Sequence, residues 1–206
     1  MSKFDILISG VGGQGTVLAS RLIAAAAINQ GCFARTAETI GMSQRGGCVV
    51  SHVRIDSHKS GSVIPLYGAN MIIAFELAEA ARSIPRLSKE GCCIVNTQVI
   101  KPVSASLGNS NYDNEEIIKY IKDNSQEVYF IDGYSLAEKA GNVKAVNVVL
   151  LGAATAVGKM PFTREIMQAA IVKNVPAKFR ELNQKAFEMG YEATVELIKR
   201  PKNHIT

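Results

Sequence analysis

Apolar positions form short runs in the first two thirds of the chain and fall at helical spacing towards its end. Residues 4–9 make a near-continuous apolar run, the form expected of a strand buried on both faces of a parallel sheet. A glycine cluster follows. Residues 14–29 then place Leu18, Leu22, Ile23 and Ala26 on one helical stripe, with Gly31 suited to cap its end. Further strands are expected over 33–37, Cys48–Ile55, 71–75, 92–96 and 128–131, with a turn at 57–61 before a short extended piece at 63–65. Helices are expected over 76–84 and 115–122. Residues 147–157 read as a helix rich in Ala and Gly, able to approach the sheet closely. Residues 166–172, then Phe179, Leu182, Ala186 and Met189, keep the helical period, with Pro176 as the break. Strands alternating with helices predict an α/β fold. The expected form is a doubly wound, mostly parallel, Rossmann-like sheet with helices on both faces and a helical C-terminal part. The 206 residues read as a single domain, 1–206.

Charge and composition narrow the functional classes. The net charge is +5, and the basic residues are scattered except at Lys199-Arg200-Pro201-Lys202. A basic stripe with interleaved aromatics is missing, so no nucleic-acid partner is expected. No stretch reaches the roughly 20 apolar residues of a membrane span. The chain runs straight into a strand pattern without a signal peptide, which predicts a cytoplasmic protein and no membrane partner. Cys32, Cys48, Cys92 and Cys93 show no C-x-x-C spacing. They therefore predict no metal site here, only buried thiols in a reducing compartment. Adjacent Cys92 and Cys93 should face opposite sides of a strand.

Two glycine-rich segments carry the candidate chemistry. Gly10, Gly12 and Gly15 satisfy G-x-G-x-x-G between a strand and a helix, with Gly13 and Gln14 inside the loop. Glycines there permit a tight turn, and the helix start can stabilise an anion. Glu38, 23 residues after Gly15, stands near where a ribose-binding acid would lie. Gln14 and the basic Arg35 weaken that reading, and a close-packed strand–helix turn is the plain alternative. The second segment is Gly41-Met42-Ser43-Gln44-Arg45-Gly46-Gly47, leading into Ser51, His52 and Arg54. An arginine among glycines suits a phosphate or carboxylate, and on spacing alone equally suits an exposed loop. Ser43 lacks the closing glycine of a nucleophile elbow, and His52 with His58 lack metal-ligand spacing. Glu76, Glu79 and Arg82 read as helix-start acids, with an i, i+3 ion pair between Glu79 and Arg82. No catalytic residue emerges. Spacing alone reaches an α/β domain that faces a ligand.

The segments Gly10-Val11-Gly12-Gly13-Gln14-Gly15, Glu38 with Gly41 to Gly47, and Ser51-His52-Val53-Arg54 together resemble a known family. Phe75-Glu76, Glu79-Ala80, Asn96, Pro102 and Asn147 with Leu151-Gly152-Ala153 also fit. The resemblance, over most of residues 4–190, is to the gamma-type subunit of 2-oxoacid:ferredoxin oxidoreductases, nearest the small subunit of the indolepyruvate type. It implies oxidative decarboxylation of an arylpyruvate such as indolepyruvate, with coenzyme A as co-substrate and ferredoxin as acceptor. Thiamine diphosphate and the iron–sulfur clusters are then expected in a large partner subunit, and ferredoxin is reached only through the complex. This chain would bind no cofactor alone and would show no activity alone. Its two glycine loops, with Arg45, are expected to face a cleft shared with the partner and to contact coenzyme A or substrate. Leu66, Tyr67 and Asn70 depart from the family's usual polar or acidic residues. The alternatives are a free-standing NAD(P)- or nucleotide-binding oxidoreductase and a non-catalytic binding module.

Overall fold

The computed structural model describes residues 3–41, 47–56, 61–100 and 113–200. Six strands form one sheet: β1 (Phe4–Val11), β2 (Ala34–Ile40), β3 (Cys48–Ile55), β4 (Ala69–Ala74), β5 (Leu87–Asn96) and β6 (Glu127–Ile131). Their order is β2-β3-β1-β4-β5-β6. Strands β1, β4, β5 and β6 pair in parallel, whereas β3 runs antiparallel to both β1 and β2. The sheet is thus mostly parallel with one reversed strand, and β2 and β3 form a hairpin rather than a crossover.

Helices cover both faces: α1 (Thr16–Asn29), α2 (Leu77–Ser83), α3 (Asn114–Asp123), α4 (Gly133–Ala140), α5 (Val146–Ala156), α6 (Arg164–Asn174) and α7 (Arg180–Lys199). Alternation within the strands assigns each side chain to a face. Ile6, Ile8, Val53, Met71, Ile73, Cys92 and Ile94 join α1, α5, α6 and α7 in the larger core. Leu7, Ile72, Ala74, Cys93 and Val95 join α2 and α3 in the smaller one. Cys92 and Cys93 therefore do face opposite sides.

Several boundaries differ from the hydrophobic pattern. Strand β5 begins at Leu87 although its first residues include exposed Lys89 and Glu90, because a register shift against β4 lets an irregular, solvent-facing start continue the strand. Helix α4 is short, and its buried face consists of the small residues Gly133, Ala137 and Ala140. Its signals are a cap and a stop: Asp132 accepts from the Ser135 N–H at 3.0 Å, and Gly141 follows at φ 123°. Residues 63–65 form no strand. Their segment hangs on the side chains of buried Arg54 and His52 and half-buried Arg86 instead: Arg54 donates to the Gly61 and Val63 carbonyls, Arg86 to the Ile64 carbonyl, and the Ile64 N–H donates to His52 Nδ1.

The small residues of α5 act chiefly against α7. A Cβ on Gly152 would lie 2.0 Å from the Phe187 carbonyl oxygen, and one on Gly190 would lie 1.9 Å from that of Val149. The two helices cross backbone to backbone, which only glycine at both positions permits.

Candidate functional site

The carboxyl ends of β1, β4 and β5 meet at one edge, where open α/β sheets form ligand crevices. The first glycine loop turns there, with Gly13 at φ 97° and Gly15 at φ 87°. Gly15 is further confined, since a Cβ would stand 2.9 Å from Asn147 Nδ2. Gln14 folds back beneath the loop. Its Oε1 accepts the Val11 N–H at 2.7 Å, and its Nε2 donates to the Phe75 carbonyl at 3.1 Å. Asn96 Nδ2 donates to that same carbonyl at 3.0 Å, and Asn96 Oδ1 accepts the Gly133 N–H at 3.0 Å. These amides tie the ends of β1, β4 and β5 to the start of α4.

Beside the loop lies a cleft of about 480 Å³. Gly13, Gln14, Gly15, Gln98, Tyr134, Lys144 and Asn147 line it together with the apolar Leu18, Ile100, Val143 and Val146. Gly15, at the cap position of α1, has no side chain to cap the helix, and no acid occupies its first turn. The helix dipole and the Lys144 ammonium therefore both favour an anionic group here. A larger recess of about 580 Å³ opens at the other end of β5, beside Tyr67 and Leu87, away from these groups.

The second glycine segment is anchored at the same edge. The Gly41 N–H donates to the Cys48 carbonyl and the Gly12 N–H to the Gly47 carbonyl, each at 2.9 Å. Gly10, Gly12, Gly13, Gln14, Gly15, Gly41 and Gly47 are thus brought together. Met42, Ser43, Gln44, Arg45 and Gly46 lie outside the described residues, as do His58 and Pro102.

Three candidates are placed elsewhere. Arg54 sits at the opposite end of β3, where Nε and Nη2 donate to the Asp5 carboxylate at 3.0 and 2.8 Å. It is 2% exposed and bonded through all three nitrogens, so it anchors structure. Ser51 is fully buried in mid-strand, level with Ile8 and Glu38, and its hydroxyl has no partner among the described residues. Glu38 lies on exposed β2 and accepts from Ser20 Oγ at 3.4 Å. Strand β3 separates it from β1, whereas a dinucleotide site needs the acid-bearing strand beside the glycine loop. With Gln14 holding the Val11 N–H, this geometry argues against the NAD(P) alternative.

His52, Cys48, Glu76 and Glu79 are engaged in the fold itself. Burial, then the charges of Arg86 and Arg54, hold the His52 imidazole at about 4, so it is neutral and accepts a backbone N–H. Burial, then a hydrogen bond to Glu79, pushes the Cys48 thiol up to about 12, too high for a thiolate nucleophile at neutral pH. Glu76 caps α2 by accepting the Glu79 N–H at 3.0 Å, and Glu79 pairs with Arg82. Among the described residues no three His, Cys, Asp or Glu side chains gather as a metal site. The thiols are scattered over both faces of the sheet, an arrangement that does not fit an iron–sulfur cluster. Gln98, Tyr134 and Lys144 were not singled out by sequence, because each belongs to a loop or helix start with no motif of its own.

The start of α1, a glycine turn and a lysine line one cleft at the carboxyl edge of an α/β sheet. The chain belongs to the pyruvate ferredoxin/flavodoxin oxidoreductase family, which matches residues 5–193. Indolepyruvate oxidoreductase subunit IorB of Archaeoglobus fulgidus is 40% identical over 94% of this chain and 96% of its own length. The same subunit of Pyrococcus horikoshii is 38% identical over 96% and 99%. The keto/oxoacid ferredoxin oxidoreductase gamma subunit of Geobacter sulfurreducens superposes with a TM-score of 0.69 at 26% identity, covering 94% of this chain and 99% of that one. The fold also recurs within 2-oxoglutarate:ferredoxin oxidoreductase from Magnetococcus marinus, solved with coenzyme A bound. There the TM-score is 0.67 at 18% identity, over 98% of this chain and 32% of the longer one.

Proposed function

We propose that this chain is the small subunit of a ferredoxin-dependent 2-oxoacid oxidoreductase of the indolepyruvate type, acting in the cytoplasm with a large thiamine-binding partner. The complex converts an arylpyruvate and coenzyme A to acyl-CoA and carbon dioxide, with two electrons leaving for ferredoxin. The observation that carries this reading is similarity to indolepyruvate oxidoreductase subunits along nearly the whole length of both proteins. Thiamine diphosphate and iron–sulfur clusters on the partner supply the carbanion and electron-transfer chemistry.

The contribution of this chain is electrostatic and steric. The start of α1 and Lys144 offer positive potential to an anionic group, as coenzyme A phosphates require, while Gln14 and Asn96 hold the sheet edge rigid beneath them. Arg45 is assigned to the same cleft, a reading supported by the anchoring of Gly41 and Gly47 at that edge.

Reconstitution tests the proposal. Viologen reduction driven by indolepyruvate and coenzyme A should require both chains. Arg45→Ala or Lys144→Ala should raise KM for coenzyme A about ten-fold, as expected for loss of one charge-assisted contact. Turnover or tight NAD binding by the isolated chain would overturn the reading. Unchanged coenzyme A dependence in both variants would remove the cleft assignment alone.

A further inference from the structure

An apolar bay of about 190 Å³ adjoins the cleft, sharing Leu18, Lys144 and Asn147 with it. Val175, Phe179 and Leu182 complete its apolar lining. Leu18 is 40% exposed and Phe179 41%, although each is large and apolar. The bay has room for one large apolar side chain.

Its surroundings are strongly one-signed. The ends of α4 and α6, the turns at Val143–Ala145 and Ala177–Phe179, and the first turns of α7 carry exposed Lys139, Lys144, Lys173, Lys178, Arg180 and Lys185. Only Glu138 and Glu181 oppose them there. The segments that build the bay and its neighbouring turns thus carry six basic side chains against two acidic ones. Lys178 stands 4.9 Å over the Phe179 ring, so charge and apolar surface form one feature.

From this combination we infer that the bay is a docking surface for an acidic segment of the large partner subunit carrying one aliphatic or aromatic anchor. The anchor enters between Leu18 and Phe179, and flanking carboxylates meet the basic rim. A second copy of this chain is a poor occupant, because it would bring the same positive excess against itself. The inference rests on the two-subunit reading above, and it places the contact beside the cleft, with which the bay shares Leu18, Lys144 and Asn147.

Binding of the small to the large subunit tests it, measured by titration over a series of salt concentrations. Phe179→Ala should weaken the complex about ten-fold or more, as loss of a buried aromatic anchor does. Lys178→Glu with Arg180→Glu should slow association and flatten its salt dependence. Both variants should keep the wild-type circular dichroism, since these side chains are exposed; if Phe179→Ala fails to fold, the charge-reversed variant still decides. Wild-type assembly that both variants reproduce would overturn the docking assignment alone. Failure of the wild-type chains to assemble would overturn the functional reading with it. Bay-dependent self-association of the isolated chain, or bay-dependent binding to phosphatidylserine vesicles, would overturn the choice of occupant.

Discussion

Gln14 shows why a glycine motif does not define its ligand. G-x-G-x-x-G specifies a turn between strand and helix, but the residue inside the turn determines what its N–H groups meet. Here the side-chain amide of Gln14 occupies the Val11 N–H and the Phe75 carbonyl. Gln14→Glu retains the acceptor, loses the donor and sets a charge beside a carbonyl oxygen. It should lower stability by about 1–3 kcal/mol, the range for an unsatisfied polar group. Gly15→Ala should lose a further 1–2 kcal/mol or so, because φ 87° disfavours a Cβ. Urea unfolding measures both, and wild-type midpoints would refute the strap described here. Arg54 teaches the converse: it follows the second glycine segment in sequence, but its position at the far end of β3 commits it to Asp5.

Elements were legible in proportion to their burial. Strand β1 and helix α1 announce themselves because each carries a long apolar face against the core. Helix α4 buries only small residues and β5 starts with exposed Lys89 and Glu90, so a cap and neighbouring strands are their clearest supports. The α5–α7 crossing was only half legible: small residues indicated close packing, but the element they meet is decided by the fold. Gly190→Ala would drive a Cβ into the Val149 carbonyl. The loss should exceed the roughly 1–3 kcal/mol of ordinary overpacking, because backbone atoms cannot rotate away. Low soluble yield and a flattened near-ultraviolet circular dichroism spectrum are the expected signs; a well-folded variant would contradict this contact.

For the molecule as a whole, stability should depend on pH through His52. The imidazole titrates near 6.5 when unfolded and about 4 when folded, since burial disfavours its charged form. Between these values the unfolded chain binds a proton that the native chain refuses. The contribution is therefore complete above about pH 6.5 and declines as pH falls towards 4, by on the order of 2–3 kcal/mol. Denaturation midpoints measured from pH 7 to 4 should fall more steeply for the wild type than for His52→Gln. Parallel curves would show that the imidazole is not held neutral. At the same scale, the sheet edge unites two glycine segments about thirty residues apart through one hydrogen bond, from Gly12 to Gly47. That meeting is what turns two motifs into one candidate site.

Alternating strands and helices, the burial of Cys32, Cys92 and Cys93 though not of the half-buried Cys48, and the family resemblance could be read from residue order, because periodicity and short motifs are local properties of the chain. Which strand lies beside which, and so the removal of Glu38 from the glycine loop, depended on β3 inserting between β1 and β2. Lys144, Tyr134 and Gln98 reach the cleft only once β5, α4 and α5 have docked, since a site built from distant segments exists nowhere along the sequence. Local patterning determined the elements; long-range packing decided which side chains share water, charge and space.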